Sequence, residues 1–258
     1  MHISFSELKM WAECPWKHRL VYIDKIKKFV GNEFTAFGSA LHTLCENAIV
    51  DNIQDDEYDE FFEHTFEKEI ARLLSRGAEF DQKLVDQMLE QARTLSPQII
   101  PEVVKHFEEY EVFSVEEMLY EDINDFETDY KFKGYIDLVL KTPDGKYHII
   151  DWKTCSWGWD AKKKSDKLVT YQLTLYKKFF CKKHNIDPKD VETHFALLKR
   201  TAKKNNVEIF RVTSGPRKTT NATDLLTRGI KTINSGFKVK NRNSCSYCEF
   251  KNTKHCPR

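Results

Sequence analysis

Three side chains on two neighbouring segments offer the most definite chemistry. Asp137 closes Gly134-Tyr135-Ile136-Asp137, and Asp151 and Lys153 lie in Ile149-Ile150-Asp151-Trp152-Lys153-Thr154. Side chains alternate along a strand, so Asp151 and Lys153 share one side and Trp152 takes the other. Pro143-Asp144-Gly145 between the segments is a turn signal, which predicts a hairpin bringing both acids and the lysine to one end. Each is embedded in apolar sequence, where an unpaired charge is strongly unfavourable. A divalent cation held by Asp137 and Asp151 would offset that cost, with Lys153 placed to position a water or steady a phosphate. The plainer reading is an Asp151–Lys153 salt bridge or ordinary charge on an exposed edge.

Two predicted helices add candidates. Phe37–Val50 carries an apolar face of Ala40, Leu41, Leu44, Ala48 and Ile49. Gly38, His42 and Glu46 recur every four residues and share another face. Gly38 permits a close backbone approach. His42 offers a nitrogen ligand, or is a packed histidine partnered by Glu46. In the predicted helix Leu168–His184, Gln172 and Tyr176 are four apart, beside Lys177. They suit hydrogen bonding to a phosphate or lysine and stacking on DNA, or are ordinary helix surface.

In chain order, Gly38–His42, Gly134–Asp137, Asp151–Lys153 and Gln172–Tyr176 resemble the PD-(D/E)XK nuclease superfamily, and most closely its RecB-like branch. With the cysteines, the resemblance spans nearly the whole chain, Cys14 to Cys256. It implies that His42, Asp137 and Asp151 bind Mg²⁺ or Mn²⁺, with the backbone carbonyl of Trp152 as a further ligand. Lys153 would assist the attacking water, and Gln172 and Tyr176 would support the site. The implied fold is α/β, a PD-(D/E)XK core in which helices flank a mixed β-sheet.

The chain has seven cysteines. An odd count with no export signal argues for ligands or free thiols over a disulfide framework. Cys245-x-x-Cys248, Cys256 and the distant Cys14 offer four thiolates, which suit Zn²⁺ or a [4Fe–4S] cluster. The arrangement resembles the iron–sulfur staple of AddB-type and CRISPR-associated RecB-like exonucleases. It implies Cys14, Cys245, Cys248 and Cys256 as [4Fe–4S] ligands that tie the N-terminal helices to the tail. The gap from Cys248 to Cys256 is longer than is usual in those families, which keeps Zn²⁺ open, with His255 able to replace Cys256. Cys45, Cys155 and Cys181 are assigned to packing.

The elements that must position these residues follow from periodicity. Ser4 and Ser6 are possible caps for a helix through Trp11, Cys14-Pro15 breaks it, and a second helix follows from Trp16. Gly31–Thr35 reads as a loop. Glu57 to Glu111 is helical, with breaks near Gly77 and at Pro97 and Pro101. Strands are expected at Phe113–Tyr120, Phe126–Leu140, Lys146–Thr154, Val191–Leu198 and Val207–Val212, and a helix at Asn221–Ile233. The expectation is one domain over residues 1–258. Residues 52–112 would be a helical insertion arching over the site, so that a single strand threads toward the metal.

The 258 residues carry a net charge of +1, which alone argues neither for nor against nucleic acid. Basic residues crowd Lys162–Lys167, Lys199–Lys204 and Lys238–Arg258, and acids crowd Asp51–Glu69 and Glu108–Glu127. Nucleic acid could follow the basic runs if folding gathers them; singly they read as solvated turns. No apolar run reaches the ~18 residues of a membrane span. Met1-His2-Ile3-Ser4-Phe5 has no basic start before an apolar stretch, so a cytoplasmic protein is expected, and the family resemblance implies a bacterial cytoplasm or a phage-infected host. The expected function is a metal-dependent exonuclease on single-stranded or frayed DNA ends in recombination, repair or phage DNA metabolism. Recombination or CRISPR protein partners are left undefined. The alternatives are a structure-specific or restriction-type endonuclease, a non-catalytic DNA- or partner-binding module, and a redox sensor whose cluster controls DNA binding.

Overall fold

The structure is a computed structural model that describes residues 1–26 and 29–257. A short strand, β1 (His2–Ser4), precedes α1 (Phe5–Glu13), and the Ser4 hydroxyl caps that helix by accepting the Glu7 N–H at 3.2 Å. The helix α2 (Pro15–His18) runs on into a wider π-helical turn over Arg19–Ile23. The long helix α3 (Glu33–Ile49) starts four residues before the expected Phe37, inside the stretch read as a loop. Asn32 and Thr35 form a reciprocal capping box there.

Next come α4 (Tyr58–Leu74), α5 (Gln82–Leu95) and α6 (Ile99–Phe107). The breaks near Gly77 and at Pro97 occur as expected, but Pro101 does not break α6. It lies in the first turn, where its missing N–H is not needed. The remaining elements are β2 (Glu111–Asp122), β3 (Lys131–Lys141), β4 (Tyr147–Cys155), α7 (Ala161–Ser165), α8 (Lys167–His184), β5 (Val191–Lys199), β6 (Val207–Arg211) and α9 (Pro216–Asn234).

Three sequence expectations shift here. The strand expected from Phe126 begins at Lys131; Phe126 packs at the edge of the core under the Lys231 ammonium, so its apolar character serves packing and not pairing. The basic run after Asp160 contains a short helix, capped where Asp160 accepts the Lys163 N–H at 2.7 Å. The last helix starts at Pro216 and not Asn221, with proline at its first position.

The sheet is mixed. β2 runs antiparallel along all of β3, from Glu111 opposite Lys141 to Asp122 opposite Lys131. β4 pairs with β3 only where Ile150–Tyr147 oppose Leu138–Lys141, and β1 pairs in parallel only with Lys131–Lys133. Residues 134–136 of β3 therefore pair with β2 alone, and β3 and β4 diverge as a fork. β5 lies parallel to β4, and β6 antiparallel to β5.

Two apolar layers cover the sheet. On one face Leu138, Leu140, Ile150 and Trp152 meet α3 to α6. The Phe37 ring contacts Phe62 and Phe66 of α4 at 5.3 and 5.9 Å, so the helices of the expected insertion share a core with α3. On the other face Phe132, Ile149, Phe195 and Leu197 meet residues of α1, α8 and α9. Cys45 and Cys181 are buried and Cys155 is half-buried against the second core. Among the described residues no helix is long and apolar enough to cross a membrane.

Candidate active site

The fork between β3 and β4 places the two acids. Asp137 and Asp151 are the first residues past the paired stretch on their respective strands. There Trp152 has lost its ladder partner on β3, and its backbone N–H donates to Asp137 Oδ2 at 2.8 Å. Lys153 lies on the same side of β4 as Asp151, and its ammonium pairs with that carboxylate. The Asp151 side chain is 2% exposed and the Lys153 side chain 29%, so the lysine still reaches the surface from a buried acid.

Helix α3 crosses the fork closely because of Gly38. A Cβ there would stand 3.3 Å from Thr154 Oγ1. One turn on, His42 Nδ1 lies 3.6 Å from Asp137 Oδ2, and its ring interacts with the Trp152 backbone carbonyl. From the other layer, Tyr176 of α8 covers Gly134, where a Cβ would come within 2.7 Å of the tyrosine ring. The Gln172 amide donates to the Tyr176 hydroxyl at 3.1 Å. Gly134 thus admits the tyrosine beside the acids. The structure brings together His42, Asp137, Asp151, Trp152, Lys153, Gln172 and Tyr176.

Glu116 joins them and was missed from sequence. On β2 it falls opposite Asp137 in a strand already shifted in register between Val112 and Ser114, and its φ is +45°. A non-glycine residue in that region costs about 1–3 kcal/mol and marks strain held by its surroundings. His42, Glu116 and Asp137 offer ligand atoms all within 4.8 Å of one another. The neighbouring Glu117 turns away, to the Lys183 ammonium at 2.8 Å and the His184 ring at 2.6 Å. Consecutive acids in an alternating strand were the only available signal, and they do not say which one faces the site.

Burial sets the protonation states. It pushes Asp137 up to about 6, against the Lys153 ammonium and the Trp152 N–H, with Glu116 and Glu46 adding to the rise. It pushes Asp151 up to about 6 as well, again opposed by Lys153 and reinforced by Asp137. Burial and then Lys153 bring His42 down to about 4, leaving a neutral imidazole free to ligate. Glu116 is raised by burial, then by Glu46 and Asp151. Burial works against the Lys153 charge, but Asp151 and Asp137 hold it on. Asp137 and Asp151 thus share one ammonium, that of Lys153, and Glu116 lies at the same cluster. Carboxylate, imidazole and carbonyl donors with no thiol suit a hard divalent cation such as Mg²⁺ or Mn²⁺.

The C-terminal segment docks on α1 and α2 through polar contacts. Trp16 donates its backbone N–H to Val239 O at 3.1 Å and its indole N–H to His255 O at 3.0 Å. The Asn241 side-chain amide donates to Glu13 O at 2.8 Å. The Asn241 backbone N–H donates to Cys14 Sγ at 3.4 Å, and Cys245 Sγ donates to Asn241 O at 3.7 Å. Two of the four cysteines named from sequence therefore flank one residue. A cavity of about 410 Å³ is lined by Cys245 and Cys256, and all four thiols are partly exposed.

The description of the PD-(D/E)XK nuclease superfamily fits this chain over residues 2–255. Among solved structures, a presumptive exonuclease from Eubacterium rectale superposes with a TM-score of 0.61 at 14% identity, over 96% of this chain and 86% of that one. That identity shows a shared fold. The structure of SSO0001 matches at a TM-score of 0.36 and 17% identity, over 66% of this chain and 74% of that one, too weakly to carry an argument. No curated protein sequence matches the chain.

Proposed function

Because the chain belongs to the PD-(D/E)XK nuclease superfamily, we propose that it is a Mg²⁺- or Mn²⁺-dependent exonuclease that hydrolyses phosphodiester bonds at single-stranded or frayed DNA ends. One observation carries the metal requirement. The carboxylates of Asp137, Asp151 and Glu116 stand at one site with the Lys153 ammonium, and they repel a phosphodiester unless a cation lies between them. His42, Asp137, Asp151 and the Trp152 carbonyl would hold the ion, with Glu116 at the same cluster. When bound, the cation lowers the pKa of its water and offsets charge building on the phosphate. Lys153, anchored by Asp151 and still part-exposed, orients the attacking water and steadies the phosphate. Tyr176 and Gln172 brace the β3 strand behind Asp137.

In this reading the layer 52–112 bounds the path of the strand. Since it shares a core with α3, point changes on its exposed edge test it better than deletion. Cys14, Cys245, Cys248 and Cys256 would hold a [4Fe–4S] cluster, with Zn²⁺ and His255 as the alternative filling. Metal bonds would add to the attachment that the buried Phe250 and the polar contacts to α1 and α2 already give the tail. Iron, sulfide and zinc content of anaerobically purified protein, compared with Cys248→Ser, decides between them.

The function test is cleavage of end-labelled linear and circular DNA, single- and double-stranded, with Mg²⁺ or Mn²⁺, beside Asp151→Ala. Metal- and Asp151-dependent loss of linear DNA with circles spared supports the exonuclease. Cut circles indicate an endonuclease. No cleavage by metal-loaded protein indicates a binding module.

A further inference from the structure

The C-terminal ends of β4 and β5 carry a surface that the catalytic reading leaves unused. Phe34 stands on the same stripe of α3 as Gly38 and His42, two turns or about 12 Å from His42. Its side chain is 47% exposed. Trp157, four residues beyond Lys153, is 77% exposed. Two large rings are thus left in water where the strands leave the site.

Arg200 links the two segments. Its guanidinium lies over the Phe34 ring at 4.9 Å, and it donates to Ser156 Oγ at 3.0 Å and to Gln91 Oε1 at 2.8 Å. Among the described residues no carboxylate pairs with it, so neutral oxygens aim a half-buried cation whose charge nothing cancels. The nearby Lys164 and Lys199 are by contrast both paired with Glu208. Lys162, Lys203 and Lys204 are exposed around the same edge, and Asp160 and Asp166 are occupied as helix caps.

We propose that this surface is a stacking platform for single-stranded DNA, with Phe34 and Trp157 each taking the face of an unpaired base and Arg200 taking a backbone phosphate. Only unpaired bases expose their faces to protein rings, and a duplex keeps them stacked inside. An uncancelled guanidinium beside the rings complements the strand's charge. The inference rests on the nuclease reading and names its substrate class.

The test is anisotropy with three labelled probes of equal length: oligothymidylate, an abasic strand and a duplex. Ca²⁺ replaces Mn²⁺, so that binding is read without cleavage. Phe34→Ala and Trp157→Ala should each weaken oligothymidylate binding roughly 5- to 50-fold. Abasic and duplex binding should change less than about twofold, with unfolding temperatures close to wild type. The platform is overturned if neither variant alters oligothymidylate binding, if wild type binds abasic and thymidylate strands equally, or if it binds no single strand. Cleavage in Mn²⁺ is scored separately. Active protein with unchanged variant binding sinks only the platform, and inactive protein whose variants lose the oligonucleotide sinks only the nuclease.

Discussion

Asp137 is held in its charged form at a cost the apo protein must bear. Moving a carboxyl from about 3.9 to about 6 is worth roughly 3 kcal/mol at about 1.4 kcal/mol per tenfold change in acidity. The folded state binds the proton more tightly than the unfolded one. Stability is therefore undiminished below about pH 4, falls between about 4 and 6 as the unfolded chain releases its proton first, and is fully reduced above about 6. Asp137→Asn removes the charge while its amide oxygen still accepts the Trp152 N–H. In EDTA at pH 8 the variant should be about 2–3 kcal/mol more stable than wild type, and the gap should close toward pH 4. Manganese should reverse the order, because it stabilises only the state that binds it. Urea denaturation at several pH values, with and without Mn²⁺, measures both effects. A variant less stable than wild type at pH 8 in EDTA with an unchanged m-value would refute the reasoning, as would equal stabilisation of both proteins by Mn²⁺.

Three further outcomes are expected. Gly134→Ala drives a Cβ to 2.7 Å from the Tyr176 ring, so it should lose about 1–3 kcal/mol and at least tenfold in cleavage rate; unchanged kinetics would show that the tyrosine does not brace the site. Glu116→Gln should weaken Mn²⁺ binding about tenfold by calorimetry with little change in unfolding temperature, and equal affinity would remove Glu116 from the cluster. His194 is pushed down to about 3 by burial, then by His148, His106 and Arg211. Its unfolded form takes up a proton that the folded form refuses between about pH 6.5 and 3, so stability should fall with falling pH by up to about 1.4 kcal/mol per unit. Asp137 and Asp151, both raised to about 6, oppose that slope and His42 adds to it, so it is read as the difference between wild type and His194→Phe, which keeps the ring contact with Phe107.

The hairpin carrying Asp137, Asp151 and Lys153 was legible because a turn and strand alternation are local properties. The positions of His42 and Gln172–Tyr176 followed from helical spacing in the same way. Other features were not local. Glu116 faces the site through a left-handed backbone that only the surrounding sheet imposes. Three residues of β1 carry no readable period. The first turn of α3 looked like a loop because Asn32 and Thr35 are turn residues as well as caps. Phe34 and Arg200 meet only after α3 and β5 are placed, so neither stood out among the aromatic and basic residues of the chain.

The pairing of His2–Ser4 with Lys131–Lys133 joins segments 129 residues apart in the chain. Closing so long a loop is entropically slow, and contacts of high sequence separation form late in folding. β1 occupies β3 just beyond the point where β4 departs, so it completes the divergent half of the fork. During synthesis His2–Ser4 emerge well before Lys131–Lys133, the segment they pair with. The sheet around the proposed site is then complete only once β1 has joined β3, so that site would mature late, with the finished sheet.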